Sequence, residues 1–544
     1  MKEVLIIGSG ISGMACAVRC AELGVRVLLV SPFPSERSQS VMAAGGINAV
    51  TDKHEEGDSV ESHIEDTLKG GAWIAGRNAV TGLCSHAEEI IRYLEGIGTV
   101  FSVDEKGLPL RRAFGGQSHK RTYYCGSSTG KQIVSAFVME ARRYEAAGMI
   151  TRKLRMYFHS ALIEDVVCYG ALLFNEQKRI LEPVFADAVV IASGGQNSLF
   201  GKTTGSSQCD GYAAGKLFMQ GALLKNLEFI QYHPTTLETA QKRMLISEAV
   251  RGEGGRLFTS ENGKRVYFME DKYGPNGNLM TRDVVAREIY SADSEVFLDI
   301  SFLDKRLIQE RLPEVMDLCR KYRDIDISKE PIPVAPSVHF FMGGLAVHLN
   351  HETSIRNLYA VGECASMYHG ANRLGGNSLL AAVYSGFVAA NDINGRTVCG
   401  KSPDFRKVIE NEEKALAGML SSKSSFPVIY MKDMLADTMR KYLGIVRTED
   451  HLRKGIEDID YYLSVAEQIQ YDSSVSAYAN YSLKGILALA KATLTCAEAR
   501  KECRGAHYRS DYPQSSDAFL CSTLISCDRN GYHVWQDKEG TYEN

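Results

Sequence analysis

An apolar strand that runs into a glycine-spaced turn and then a helix constrains this chain more than any other feature. Glu3-Val4-Leu5-Ile6-Ile7 reads as a buried strand, Gly8-Ser9-Gly10-Ile11-Ser12-Gly13 as the turn, and Met14 to Leu23 as the helix. Gly24 ends that helix, and Val25 to Val30 reads as a second buried strand. This is G-x-G-x-x-G inside a βαβ frame. Gly8 permits the tight turn, Gly10 lets the backbone approach a pyrophosphate, and Gly13 allows the helix to pack close to the strand. Phosphates then rest on the helix N-terminus, where unpaired N–H groups and the dipole favour anions. A purely structural glycine turn is the competing reading, and the complete strand–turn–helix–strand context favours a bound dinucleotide. Ser31, after the second strand, is not the acidic residue expected to hold a ribose 2′-hydroxyl. That departure counts against a simple NAD-binding domain.

A length of 544 residues is too much for one core and points to several domains. Sixty-two basic against sixty-six acidic side chains leave a net charge of −4, which argues against a nucleic-acid protein. The thirteen cysteines include no C-x-x-C pair, so neither a zinc ribbon nor a ferredoxin-type cluster run is written here. They read as free thiols of a reducing compartment. No apolar stretch reaches the roughly 18 residues of a membrane helix, and the start shows no signal-peptide pattern. The expected location is cytoplasmic, with any contact to the cytoplasmic face of a membrane made through partner subunits.

Two later strands read as returns to the first sheet. Ala186 to Ile191 runs into Ser193-Gly194-Gly195, and Leu358 to Val361 into Gly362-Glu363. An insertion between Leu237 and Gly343 therefore interrupts the dinucleotide domain. From Pro403 onward, Glu410–Leu420, Tyr430–Leu443, Gly455–Gln468 and Ser482–Arg500 carry helical periodicity and suggest a bundle. In the mixed tail, Asn530-Gly531 reads as a hairpin turn.

A series of short blocks then makes the reading specific. They are Ala43 to Ala49 (AAGGINA), Gln231 to Thr235 (QYHPT), Glu248 to Gly255 (EAVRGEGG), Thr281 to Arg287 (TRDVVAR), His339 to Gly344 (HFFMGG) and His369 to Leu379 (HGANRLGGNSL). Arg504-Gly505-Ala506-His507 and Asp511-Tyr512-Pro513 follow near the end. In this order they resemble the succinate dehydrogenase/fumarate reductase flavoprotein family, which includes L-aspartate oxidase, over about residues 1–515. The resemblance implies an α/β fold. A Rossmann-like FAD-binding domain (1–236 and 344–402) is interrupted by an α+β capping domain (237–343) and followed by a helical domain (403–512) and a tail (513–544).

It also implies a site. Beside the turn residues Gly8, Ser9, Gly10, Ser12 and Gly13, the expected FAD contacts are Ser31, Ser40, Ala44, Gly45, Gly46, Gly194 and Asp210. Glu363 is added for the ribityl chain, with Asn377, Ser378 and Leu379. For Asn377 and Ser378 helix capping is the plain alternative. A C4-dicarboxylate needs donors at both ends. Arg373 can clamp one carboxylate bidentately, while His233, His339 and Ser247 donate further hydrogen bonds. The family gives hydride transfer to flavin N5 and proton transfer to an arginine, here Arg282, with Glu248 and Arg251 as relay. An arginine acid, with a pKa above ~12, is tenable only if its proton is replaced as it leaves. Taken singly, His233 reads as a structural histidine and the arginines as surface charges. Together, in their blocks, they read as a site.

One departure bears on the direction of the reaction. Members that bind FAD covalently carry histidine within R-S-H-[ST]-V, whereas this chain has Arg37-Ser38-Gln39-Ser40-Val41. An amide nitrogen is no nucleophile, so the expectation is non-covalent FAD and a bias toward fumarate reduction. L-aspartate oxidase is the alternative enzyme, and Gln117-Ser118-His119-Lys120-Arg121 resembles it. Aspartate oxidases, however, carry an acidic residue where this chain has Phe114. A non-catalytic electron-transfer scaffold is the alternative of another class, and the intact relay argues against it. An iron–sulfur subunit is the partner that the family implies.

Overall fold

The computed structural model describes residues 2–52, 55–126, 128–397, 402–421, 427–466 and 476–542. At its centre five parallel strands lie in the order Leu358–Ala360, Ala188–Ile191, Glu3–Ile7, Arg26–Ser31 and Ile150–Leu154. Both expected returns to the first sheet are thus present. Val4 to Ile7 are almost wholly buried because helices cover the sheet, which is why this strand reads as an unbroken apolar run. The Ile11–Glu22 helix packs along the Asn377–Gly395 helix. Gly8 turns with φ +113°, and a Cβ there would stand 2.2 Å from the Ala192 carbonyl oxygen. A Cβ on Gly13 would stand 1.9 Å from the Gly8 carbonyl oxygen, so only glycine lets the helix leave the turn this closely.

Between the Ala188–Ile191 and Leu358–Ala360 strands the chain forms a six-stranded antiparallel sheet. Its order is Arg243–Leu245, Ile230–Glu238, Ile332–Phe341, Val296–Asp299, Arg256–Glu261 and Lys264–Val266. It encloses its own core, which includes Leu257, Val285, Leu298 and Ile332. The Ile230–Glu238 strand crosses residue 237 and carries residues of both flanking segments.

The expected helices form as Arg406–Ser421, Val428–Tyr442, Glu449–Ala466 and Leu483–Ala499. Gln468, the expected end of the third, lies outside the described residues. The last three pack on one another. Arg406–Ser421 does not join them. It buries Leu416 with Tyr157, Leu172 and Phe174 against a three-stranded sheet, and Leu416 is its one buried residue. The tail forms the hairpin Ser522–Asp528 and Gly531–Asp537, which adds to a second sheet through Leu224–Lys225. No helix among the described residues is long and apolar enough to cross a membrane, and the described cysteines are free thiols.

Candidate active site

A single cavity of about 720 Å³ runs from the glycine turn to Arg373. Its first part is built by strand ends of the parallel sheet. Gly8, Ser9, Gly10, Ser12, Ser31, Ser40, Ala44, Gly45, Gly46 and Gly194 line it, together with Asp210, Glu363, Ser378 and Leu379. Gly10 begins the Ile11–Glu22 helix with no side-chain cap and no acidic residue in the first turn, leaving an anion site. Ser40 Oγ accepts the Ile11 N–H at 3.1 Å. The Ser31 hydroxyl is held by Ser9 at 3.0 Å and donates to the Phe33 carbonyl at 2.7 Å. Glu363 accepts the Phe341 N–H at 3.1 Å, and burial pushes its carboxyl up to about 7.

Two expected cofactor contacts lie elsewhere. Gly13 faces the turn behind the cavity, where its role is close packing. Asn377 does not line the cavity either. Its side-chain oxygen takes the Asn48 amide at 2.7 Å and meets His63 Nε2 at 3.0 Å, while its amide donates to Thr67 at 2.9 Å. These partners turn it away from the cavity, so its place is in the scaffold beneath the Asn377–Gly395 helix.

The far end gathers His233, Ser247, Glu248, Arg282, His339 and Arg373. Arg251 stands behind Glu248, fully buried. Glu248 Oε2 accepts Arg282 Nε at 2.9 Å and lies 2.8 Å from Nη2. Its Oε1 accepts the Gly115 N–H at 2.9 Å and stands 3.3 Å from Arg251 Nη2. Burial would push this carboxyl up, yet Arg282 and Arg251 hold it down at about 2. Burial lowers Arg251, and Glu248 offsets part of that. Burial, and then the Arg282 charge, push Arg373 well below the usual guanidinium range. Burial also holds His233 and His339 well below the usual histidine range, aided by the nearby arginines. Both rings are therefore neutral at pH 7. His339 Nδ1 lies 2.8 Å from the Thr204 hydroxyl, and the two rings meet edge to face at 5.2 Å.

Sequence reasoning missed Gln231, which ties this end together. Its Oε1 accepts Arg282 Nη1 and Arg373 Nη2, each at 3.1 Å. Its amide donates to Asn372 Oδ1 and to the Arg373 carbonyl, each at 2.8 Å. A sequence signal existed, since residues two apart on a strand share a face, and Gln231 precedes His233 by two. Phe340 was missed as well. Its ring lies 4.2 Å beneath the Arg373 guanidinium carbon and holds that plane.

Comparison with known proteins gives the lineage. Residues 3–379 match the FAD binding domain family and residues 432–539 the fumarate reductase flavoprotein C-terminal family. The succinate dehydrogenase flavoprotein subunit of Bacillus subtilis is 36% identical, over 96% of this chain and 94% of that protein. The chain belongs to the succinate dehydrogenase/fumarate reductase flavoprotein family. It is an FAD-dependent oxidoreductase, and the glycine turn at the helix start and the long cavity beside it fit FAD. An L-aspartate oxidase of Pyrococcus furiosus is 33% identical, over 95% of this chain and 97% of that protein. Among solved structures, a chain of E. coli quinol fumarate reductase superposes with a TM-score of 0.90 at 29% identity, covering 98% of this chain and 96% of that one.

Proposed function

We propose that this flavoprotein reduces fumarate to succinate with FAD held non-covalently. One observation carries the reading. Arg251, Arg282 and Arg373 are buried close together, and among the described residues Glu248 ion-pairs with the first two while no carboxylate ion-pairs with Arg373. Unpaired buried cations are costly, and a ligand with two carboxylates offsets them. Arg373 clamps one carboxylate, while His233, His339 and the Ser247 hydroxyl bind the rest, so the double bond is fixed in place. Bound in the same cavity, the reduced form of FAD would supply the hydride.

Arg282 delivers the proton to the neighbouring alkene carbon. Glu248 is ionised, accepts the Arg282 Nε–H and stands beside Arg251, so it passes a proton from Arg251 as Arg282 loses one. The lowered affinity of buried Arg251 for its proton favours that shift. The segment 237–343 brings Arg282 and Glu248 over the substrate, as a capping domain. Gln39 lines the cavity with its amide oxygen buried and unpartnered. An amide forms no bond to the flavin, which supports non-covalent FAD and the reductive direction. A partner subunit with iron–sulfur clusters supplies the electrons.

L-aspartate oxidase is the second reading, since a relative of that name is similar over the whole chain. Phe114 speaks against it. It lines the cavity with only 4% of its surface exposed, and it offers no charge to a substrate ammonium. The deciding experiment pairs an anaerobic assay with reduced viologen and fumarate against an aerobic peroxide assay with L-aspartate. Viologen oxidation by fumarate is expected. Rapid peroxide from aspartate without fumarate reduction would reverse the assignment.

A further inference from the structure

Lys432 and Tyr478 belong to the C-terminal helices, yet both line the dinucleotide cavity, on the Val428–Tyr442 and Ala477–Tyr481 helices respectively. Tyr478 reaches Asp210 directly, and Lys432 lines the same cavity with its charge acting on that carboxyl. The Tyr478 hydroxyl donates to Asp210 Oδ2 at 2.8 Å, and Asp210 Oδ1 accepts the Tyr212 N–H at 3.0 Å. Burial raises the Asp210 carboxyl, and the Lys432 charge opposes that rise. Tyr478 is planted by stacking on Tyr157 at 4.4 Å and by an edge contact with Tyr212 at 5.6 Å.

The backbone beneath is equally fixed. A Cβ on Gly215 would stand 2.0 Å from the Gly485 carbonyl oxygen, and one on Gly485 would stand 2.8 Å from the Tyr212 ring. The Tyr212–Met219 and Leu483–Ala499 helices therefore touch through glycines just beyond Asp210. A carboxylate, an ammonium and a phenol converging on one cavity wall suit the hydroxyls and phosphates of a dinucleotide.

We propose that Lys432 and Tyr478 form a clasp with Asp210 on the sugar–phosphate part of FAD, so that the C-terminal helices set how long the cofactor stays bound. This rests on the non-covalent reading. A cofactor without a covalent tether depends on such contacts for its residence.

The test measures FAD release from the holoprotein after dilution, by the rise in flavin fluorescence. Lys432→Met and Tyr478→Phe should each speed release at least about five-fold, the scale of one lost hydrogen bond or charge contact. Lys441→Gln, an exposed residue of the same helix outside the cavity, should leave the rate unchanged. Unchanged release in both clasp variants overturns the proposal, provided circular dichroism shows them folded. Should a variant not fold, hydrogen exchange on the wild-type protein decides. Removing FAD should lower protection of residues 428–442 and 476–481, and equal protection with and without FAD overturns the clasp. Flavin that stays on the polypeptide in acid would instead refute the non-covalent reading, an outcome distinct from either.

Discussion

Glu248 Oε2 accepts the Arg282 Nε–H at 2.9 Å and ion-pairs with Nη2 at 2.8 Å. A guanidinium held this way cannot swing out to solvent between turnovers. Its orientation is set before substrate arrives, which removes a reorganisation cost from the chemical step.

Replacing that group should therefore stop the chemistry and spare the cofactor. Arg282→Ala is expected to lower fumarate turnover by at least ~10²–10⁴, the usual worth of a positioned proton donor. The flavin absorbance per polypeptide should match that of the wild type. Wild-type turnover in this variant would remove Arg282 from the mechanism.

Gln231 offers a sharper probe, because its amide is satisfied at both ends. Gln231→Glu replaces the amide donors with a second acceptor facing Asn372 Oδ1 and the Arg373 carbonyl. A lone pair then opposes a lone pair, and the added negative charge pulls both guanidiniums toward residue 231 and away from the substrate. We expect kcat to fall about ten-fold or more, because misplacement by ~1 Å near a reacting centre can cost ~10² in rate. KM for fumarate should rise as well, since Arg373 is displaced. Steady-state kinetics at saturating viologen measure both, and unchanged values would reduce Gln231 to a packing residue.

Acid stability follows from the buried histidines. Burial holds His63 and His351 down to about 4, while in the unfolded chain each titrates near ~6.5. Below that value the unfolded chain binds more protons than the folded one, so stability falls as pH falls. The contribution is complete above about 6.5 and is lost progressively toward about 4, at up to roughly 3 kcal/mol for each group. Urea unfolding midpoints should decline steadily through this window. A flat midpoint would mean that these rings are not buried and neutral.

The fold was legible where chemistry forces a pattern. Three glycines between two apolar strands allow little besides the observed βαβ entry, and the block residues His233, Glu248, Arg282 and Arg373 do meet in one cavity. What escaped the sequence are contacts set by packing across long separations. Nothing local shows that Asn48, far earlier in the chain, takes up the Asn377 side chain and turns it from the cavity. Gln231 hid for another reason, as its partners come from two distant segments and only the fold brings them to one oxygen. The Arg406–Ser421 helix was legible as a helix but not in its partner, because periodicity reports a buried face and not what buries it.

One consequence concerns timing. Arg282 belongs to the Arg282–Tyr290 helix of the inserted segment, and Arg373 to the loop before the Asn377–Gly395 helix. The proton donor and the carboxylate clamp therefore come from opposite banks of a cleft, joined over Gln231. Parting those banks would open a path for substrate and, in the same movement, dismantle the proton donor's alignment. On the proposed mechanism, reduction and access would then be mutually exclusive, and an open form would leave the reduced cofactor with no aligned acid beside it.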